Sequence, residues 1–168
     1  MRVCFDDKIM VLKPKSPEES KTEMTVRMFP SDANPAGNVF GGEILKQIDL
    51  IAGLVAQRHA RTNTVTASID RVNFLKPVYV GNALILNAQL TYVHRSSMEI
   101  EIRVEAEDLM SGTRMLTDTA YVTAVALGSD GKTVEVSPLL LQTEDDKKRF
   151  SEGEQRMIQR LKERKKNQ

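Results

Sequence analysis

The chain has 168 residues, 40% of them hydrophobic and 28% charged, which suits one compact domain of roughly 100–200 residues and gives no support to a disordered, collagenous or membrane-spanning class. Twenty-four basic residues against 23 acidic ones leave a net charge of +1. No global field exists to gather nucleic acid or an anionic membrane, so any anion site must be local.

One cysteine, Cys4, excludes an internal disulfide framework, and with only His59 and His94 beside it a Cys/His zinc cluster is hard to build. The expectation is no metal and a cytoplasmic setting. The opening MRVCFDDKIMVLKPK is broken by Asp6, Asp7 and Lys8, and no run of about 18 apolar residues occurs, so neither secretion nor membrane insertion is expected.

In chain order, residues 13–22, KPKSPEESKT, are polar with two prolines and read as a loop or mobile lead-in. The folded domain is expected over 23–141, after a polar lead-in of 1–22. MTVRMF, 24–29, alternates like a short strand. The stretch 41–60, GGEILKQIDLIAGLVAQRHA, sets Ile44, Leu45, Ile48, Ile51, Ala52, Val55 and Ala56 at helical spacing, and Leu50 and Leu54 make its later turns apolar nearly all round. Such a helix should be buried on most sides. Four strand-like stretches follow at 64–74, 83–95, 98–108 and 113–127, β-branched or alternating. In MEIEIRVEAE, Ile100, Ile102, Val104 and Ala106 share one face, while Glu99, Glu101, Arg103 and Glu105 share the other. That charged face is expected to meet solvent, which makes two layers, one helix on an antiparallel sheet, an α+β fold. Residues 142–168 form a charged helix or tail, solvated and lightly docked, with Phe150, Met157, Ile158 and Leu161 as its sparse apolar positions.

The unusual chemistry lies in NPAGNVFGGEILKQID, 34–49. Gly41 and Gly42 at a helix start leave N–H groups open to an anionic or developing-oxyanion atom; equally, they allow close packing of the helix entry. Asp49, at the edge of the apolar stripe, is either a partly buried base or a flank residue reaching water. Asn38 by itself suits a turn or cap. Arg95-Ser96-Ser97 is both a plausible hairpin and a plausible phosphate clamp. His59 and His94 have no evident nucleophile or metal partner. No nucleophile elbow, P-loop, dinucleotide fingerprint or C-x-x-C occurs.

The ordered run NPAGNVFGGEILKQIDLIAG, TVTASIDRVNFLKPVYVGN and VHRSSMEIEIRV resembles the acyl-CoA thioesterases of the hotdog fold over about residues 23–150. The resemblance implies a long helix wrapped by an antiparallel sheet, pairing of subunits into dimers and often trimers of dimers, and acyl-CoA sites at the dimer interface. It implies that Asn38 of one subunit and Asp49 of the other form the catalytic pair, with a Gly42 N–H contact to the oxyanion and Gly41 beside it. Many bacterial members carry aspartate where this chain has Asn38. An amide cannot act as a base, which leaves Asp49 as the carboxylate that activates water or attacks the thioester itself. Thr66 and Ser68 are expected to line the thioester end, and Arg95, Ser96 and Ser97 to meet the CoA phosphates. No cofactor or metal is expected, CoA being part of the substrate. The rival readings are a non-catalytic acyl-CoA sensor, another hotdog enzyme such as a hydratase, and an RNA-binding module, the last made poor by the near-zero charge and 5% aromatic content.

Overall fold

The computed structural model describes residues 12–70 and 72–166. Five strands, β1 (Thr22–Arg27), β2 (Asn63–Ile69), β3 (Ala83–His94), β4 (Ser97–Glu107) and β5 (Arg114–Leu127), form one antiparallel sheet in the order β1-β3-β4-β5-β2. Helix α1 (Gly41–Ala60) lies on its inner face. A second helix, α2 (Glu144–Lys166), follows the sheet in sequence.

The period of the apolar residues explains the inner layer. Ile44, Ile48, Ile51, Ala52 and Val55 of α1 meet Leu84, Leu86 and Leu90 of β3 and Ile100, Ile102 and Val104 of β4, all almost fully buried. On β5 the inward residues are small: Ala120, Val122, Ala124 and Ala126 let the helix settle close to the strand. Leu50 and Leu54 depart from the expectation of a helix buried on most sides. They are 51% and 45% exposed, on the flank of α1 that faces the edge strand β2.

The expected two layers become three. Glu99, on the outer face of β4, is 2% exposed because α2 covers it. Its carboxylate accepts from Thr91 Oγ1 at 2.7 Å, from Arg156 Nη2 at 2.8 Å and from Arg160 Nη2 at 2.7 Å. Arg149 pairs with Glu101, the Arg156 guanidinium lies 3.8 Å over the Tyr121 ring, and Phe150 packs against Tyr92 at 4.8 Å between centroids. Charge on both partners is what hid this docking, since the helix buries paired ions in place of an apolar stripe.

Two other departures are local. β2 stops at Ile69 where strand was expected to 74. Past it, Asp70 N–H still reaches Tyr121 O, and the chain then lifts off, held by Leu75 N–H to Thr117 O at 3.1 Å. The described part of the lead-in is pinned rather than loose. Lys15 pairs with Leu139 in a parallel bridge and its ammonium donates to His59 O at 2.7 Å, while Pro17 and Ser20 are buried. Cys4 and the basic residue Lys8 lie outside the described residues.

His59 sits at the end of α1 and is 1% exposed, with Nε2–H donating to Ser137 O at 2.7 Å and Nδ1 buried without a partner. Burial holds its pKa below the ordinary 6.5, and Lys15 adds to this, against the hydrogen bond to Ser137 and the Glu19 charge. The unfolded chain therefore takes up a proton that the folded one refuses. This contribution to stability is complete above about pH 6.5 and is lost as pH falls below it toward the folded value. Urea unfolding between pH 5 and 7.5 should show that loss, and His59→Gln should flatten it. For the outer face, Glu99→Ala leaves the partly buried Arg156 without its carboxylate and Arg160 with Asp70 alone, and should cost about 3 kcal/mol in the same assay.

Candidate functional site

The entry to α1 is built by a tight turn. Asn34 Oδ1 accepts from Ala36 N–H at 2.9 Å and from Asn38 N–H at 3.3 Å, and Asn34 N–H donates to Asn38 O at 2.7 Å. Val39 N–H then joins Val78 O at 2.8 Å, so the helix starts against the segment that precedes β3. The N-cap residue is Phe40, which supplies no side-chain acceptor. Among the described residues the N–H groups of Gly41 and Gly42 have no partner in the chain.

The glycine pair packs closely against two aromatic rings. A Cβ on Gly41 would come within 3.1 Å of the Phe74 ring, and one on Gly42 within 2.3 Å of the Phe40 ring. Two exposed phenylalanine rings thus lie on the pair, and its amides remain open beside them. A cavity of about 320 Å³ at this point is lined by Asn34, Asn38, Gly41, Ile44, Phe74 and Pro77, among others.

Asp49 stands two turns further along α1, exposed, and its Oδ1 accepts from Thr66 Oγ1 of β2 at 2.6 Å. The two line a different cavity of about 590 Å³, together with Leu50, Leu54 and Val65. One chain therefore brings Asp49 to Thr66 and Asn38 to Gly41 but keeps the two pairs in separate cavities.

A β-bulge decides between Thr66 and Ser68. Thr66 pairs with Ala124, an inward residue of the core, whereas Ser68 pairs with Thr123, after a register shift between them. The extra residue turns Ser68 to the outer face, where its Oγ and that of Thr123 are buried without partners. The structure does not bring Ser68 to Asp49. Arg95, Ser96 and Ser97 form the β3–β4 turn, with Arg95 in the left-handed region at φ 52° and 3.9 Å from Glu135. That turn adjoins the C-terminal end of β5, the far end of the sheet from Gly41. Sequence reasoning missed Asn34 and Phe74. The N-P-A-G run signals a turn and could have pointed to Asn34, but nothing local announces that Phe74 lies on Gly41. No cluster of metal-ligating side chains occurs among the described residues.

Comparison with known proteins identifies the family. The thioesterase superfamily model matches residues 36–113. An uncharacterized acyl-CoA thioester hydrolase of Bacillus subtilis is 44% identical over 129 residues, 77% of this chain and 75% of that protein. The chain belongs to the thioesterase superfamily, among its acyl-CoA thioester hydrolases. Its fold is the hotdog fold that the resemblance implied. The cytosolic acyl coenzyme A thioester hydrolase of Rattus norvegicus is 37% identical over 88% of this chain, but the chain spans only 39% of that longer protein. Among solved structures, an apo-hexameric acyl-CoA thioesterase superposes with a TM-score of 0.86 at 38% identity, covering 90% of this chain and 97% of that one. The Staphylococcus aureus acyl-CoA hydrolase, solved with butyryl-CoA and CoA, superposes at 0.84 with 34% identity, over 91% and 93%. That enzyme has also been solved with single alanine replacements of an aspartate, an asparagine and a threonine.

The ring over Gly42 gives a check on the packing. Gly42→Ala should push the exposed Phe40 ring outward and, because alanine favours the helix by about 1 kcal/mol, leave the melting free energy within about 1 kcal/mol of the parent by urea titration.

Proposed function

We propose that the chain hydrolyses fatty acyl-CoA to free acid and CoA, in sites completed by a second copy of itself. The observation that carries this is the Asp49–Thr66 hydrogen bond of 2.6 Å beside the open edge of β2. The hydroxyl donor holds one carboxylate oxygen and leaves the other free to work. Asp49 takes a proton from water as the water oxygen attacks the thioester carbon, or attacks that carbon itself. The carbonyl electrons move onto oxygen, where the Gly42 N–H, with Gly41 beside it, meets the negative charge. On collapse the C–S bond breaks and CoA leaves as thiolate. On the direct route water then cleaves the Asp49 anhydride to release the acid, and on either route the thiolate takes the proton that water gives up. No cofactor enters this reaction.

Pairing through β2 follows from what the edge exposes. Val65 and Ile69 on β2, with Leu50 and Leu54 on α1, are large apolar groups in water beside unpaired strand edge. An isologous dimer there covers them and brings Asp49 of one subunit toward Asn38 and Gly42 of the other. Hexameric relatives support a trimer of dimers. Asn38 or Asn34 supplies the amide that orients water or thioester, and the two are distinguishable. In the S. aureus enzyme the replaced asparagine and threonine lie 15 residues before and 17 after the replaced aspartate; Asn34 and Thr66 stand at those intervals from Asp49. Arg95, Ser96 and Ser97 reach CoA phosphates only from another subunit, given their end of the sheet. The cytosolic mammalian relatives, and the lack of a helix long and apolar enough to span a membrane among the described residues, support a cytoplasmic site of action.

Free thiol release from acyl-CoAs of several lengths tests the reading. Asp49→Ala should lower kcat at least 100-fold with the oligomer intact, and whichever of Asn34→Ala and Asn38→Ala loses more marks the working amide. Mixing Asp49→Ala subunits with that asparagine variant should restore about a quarter of parent activity, since random pairing makes half the dimers mixed and each mixed dimer has one whole site. Tight acyl-CoA binding without turnover by the parent would favour the sensor instead.

A further inference from the structure

The outer-face helix reaches the chain just past β2 from behind the sheet. Gly153 rests directly on the sheet, where a Cβ would come within 2.7 Å of Tyr92 Cβ, and beyond it Arg160 reaches the strand edge. Its Nη2 donates to Glu99 Oε2 and its Nη1 to Asp70 Oδ2, both at 2.7 Å. The Glu99 side chain is 1% exposed and is also held by Arg156 and Thr91. The guanidinium is therefore fixed on its inner side and spans from β4 to the first residue after β2.

Asp70 opens the stretch that forms one wall of the Asn38–Gly41 cavity. Residues 73–77 on that wall are all exposed, so burial does little to hold them. The backbone ties of the stretch are Asp70 N–H to Tyr121 O, Leu75 N–H to Thr117 O and Val39 N–H to Val78 O, and the Asn73 N–H faces the buried Asp118 carboxylate. Phe74 nevertheless stands in close contact with Gly41. Among the described residues the Asp70 carboxylate has no side-chain partner except Arg160.

We propose that Arg160 is a positioning residue for the thioester site, setting through Asp70 where the wall at 72–78 stands over Gly41. The proposal rests on the hydrolase reading above. A small shift of that wall moves Phe74 on or off the helix start, and misplacement of about 1 Å at a reacting centre costs up to about 100-fold in rate.

Asp70→Ala is the variant of choice, because it removes the acceptor for Arg160 and leaves Glu99 with both arginines. In the full-length protein, kcat for acyl-CoA should fall about 5- to 30-fold with KM within about twofold and the melting temperature within about 2 °C. The Leu75 amide should exchange hydrogen faster while the amides of α2 keep their parent rates, and Asp70→Glu should recover most of the activity. An unchanged kcat, with or without a lower melting temperature, would reduce the pair to a structural tie and overturn the proposal. Unchanged exchange at Leu75 would overturn it as well. If the parent releases no CoA, the hydrolase reading fails, and the exchange rate at Leu75 by itself decides whether Asp70 holds the wall.

Discussion

α1 is apolar around more of its circumference than one face of a five-stranded sheet covers. Ile44, Ile48, Ile51 and Val55 go under the sheet, and Leu50 and Leu54 remain in water beside β2. The uncovered flank coincides with the uncovered strand edge, and Asp49, next to Leu50, takes its hydrogen bond from Thr66 of that strand. The part of the molecule that one chain leaves unfinished is the part that carries the carboxylate. On the proposed reading, burial of the flank by a second copy and assembly of the reactive groups are one event, driven by the same apolar area.

The outer layer works by the opposite chemistry. Glu99 is taken out of water only because two arginines and a threonine satisfy its oxygens, and such buried ion clusters add less to net stability than to a single mode of docking. An apolar stripe would let α2 slide along the sheet; Arg149 on Glu101, Arg156 on Glu99 and Tyr121, and Arg160 between Glu99 and Asp70 do not. The backbone of Gly153 against Tyr92 sets the depth.

How far the sequence could be read varied with the physics of each contact. The helix at 41–60 and the strands at 83–95, 98–108 and 113–127 were legible because inward apolar residues recur at 3.6 or 2. The end of β2 was not, since Val72 and Phe74 keep an alternating pattern past Ile69 while the ladder to β5 ends there. Placing Glu99 in solvent failed because alternation tells which side a residue faces but not what covers that side. The same limit applied to Ser68, whose face is reversed by one extra residue at the bulge. Asn38 and Gly41 were recognisable as a motif, but the contact of Phe74 with Gly41 joins residues 33 positions apart.

By itself the amino-acid sequence determined the α+β class, the inner core and the family, because periodic burial and an ordered turn-helix motif are properties of neighbouring residues. Only the tertiary structure decided that the charged C-terminal segment docks as a third layer, that Thr66 and not Ser68 holds Asp49, and that Asn38 and Asp49 line separate cavities of one chain. Each of these turns on a hydrogen bond, a bulge or a helix placement between distant segments, and such contacts leave no periodic trace along the chain.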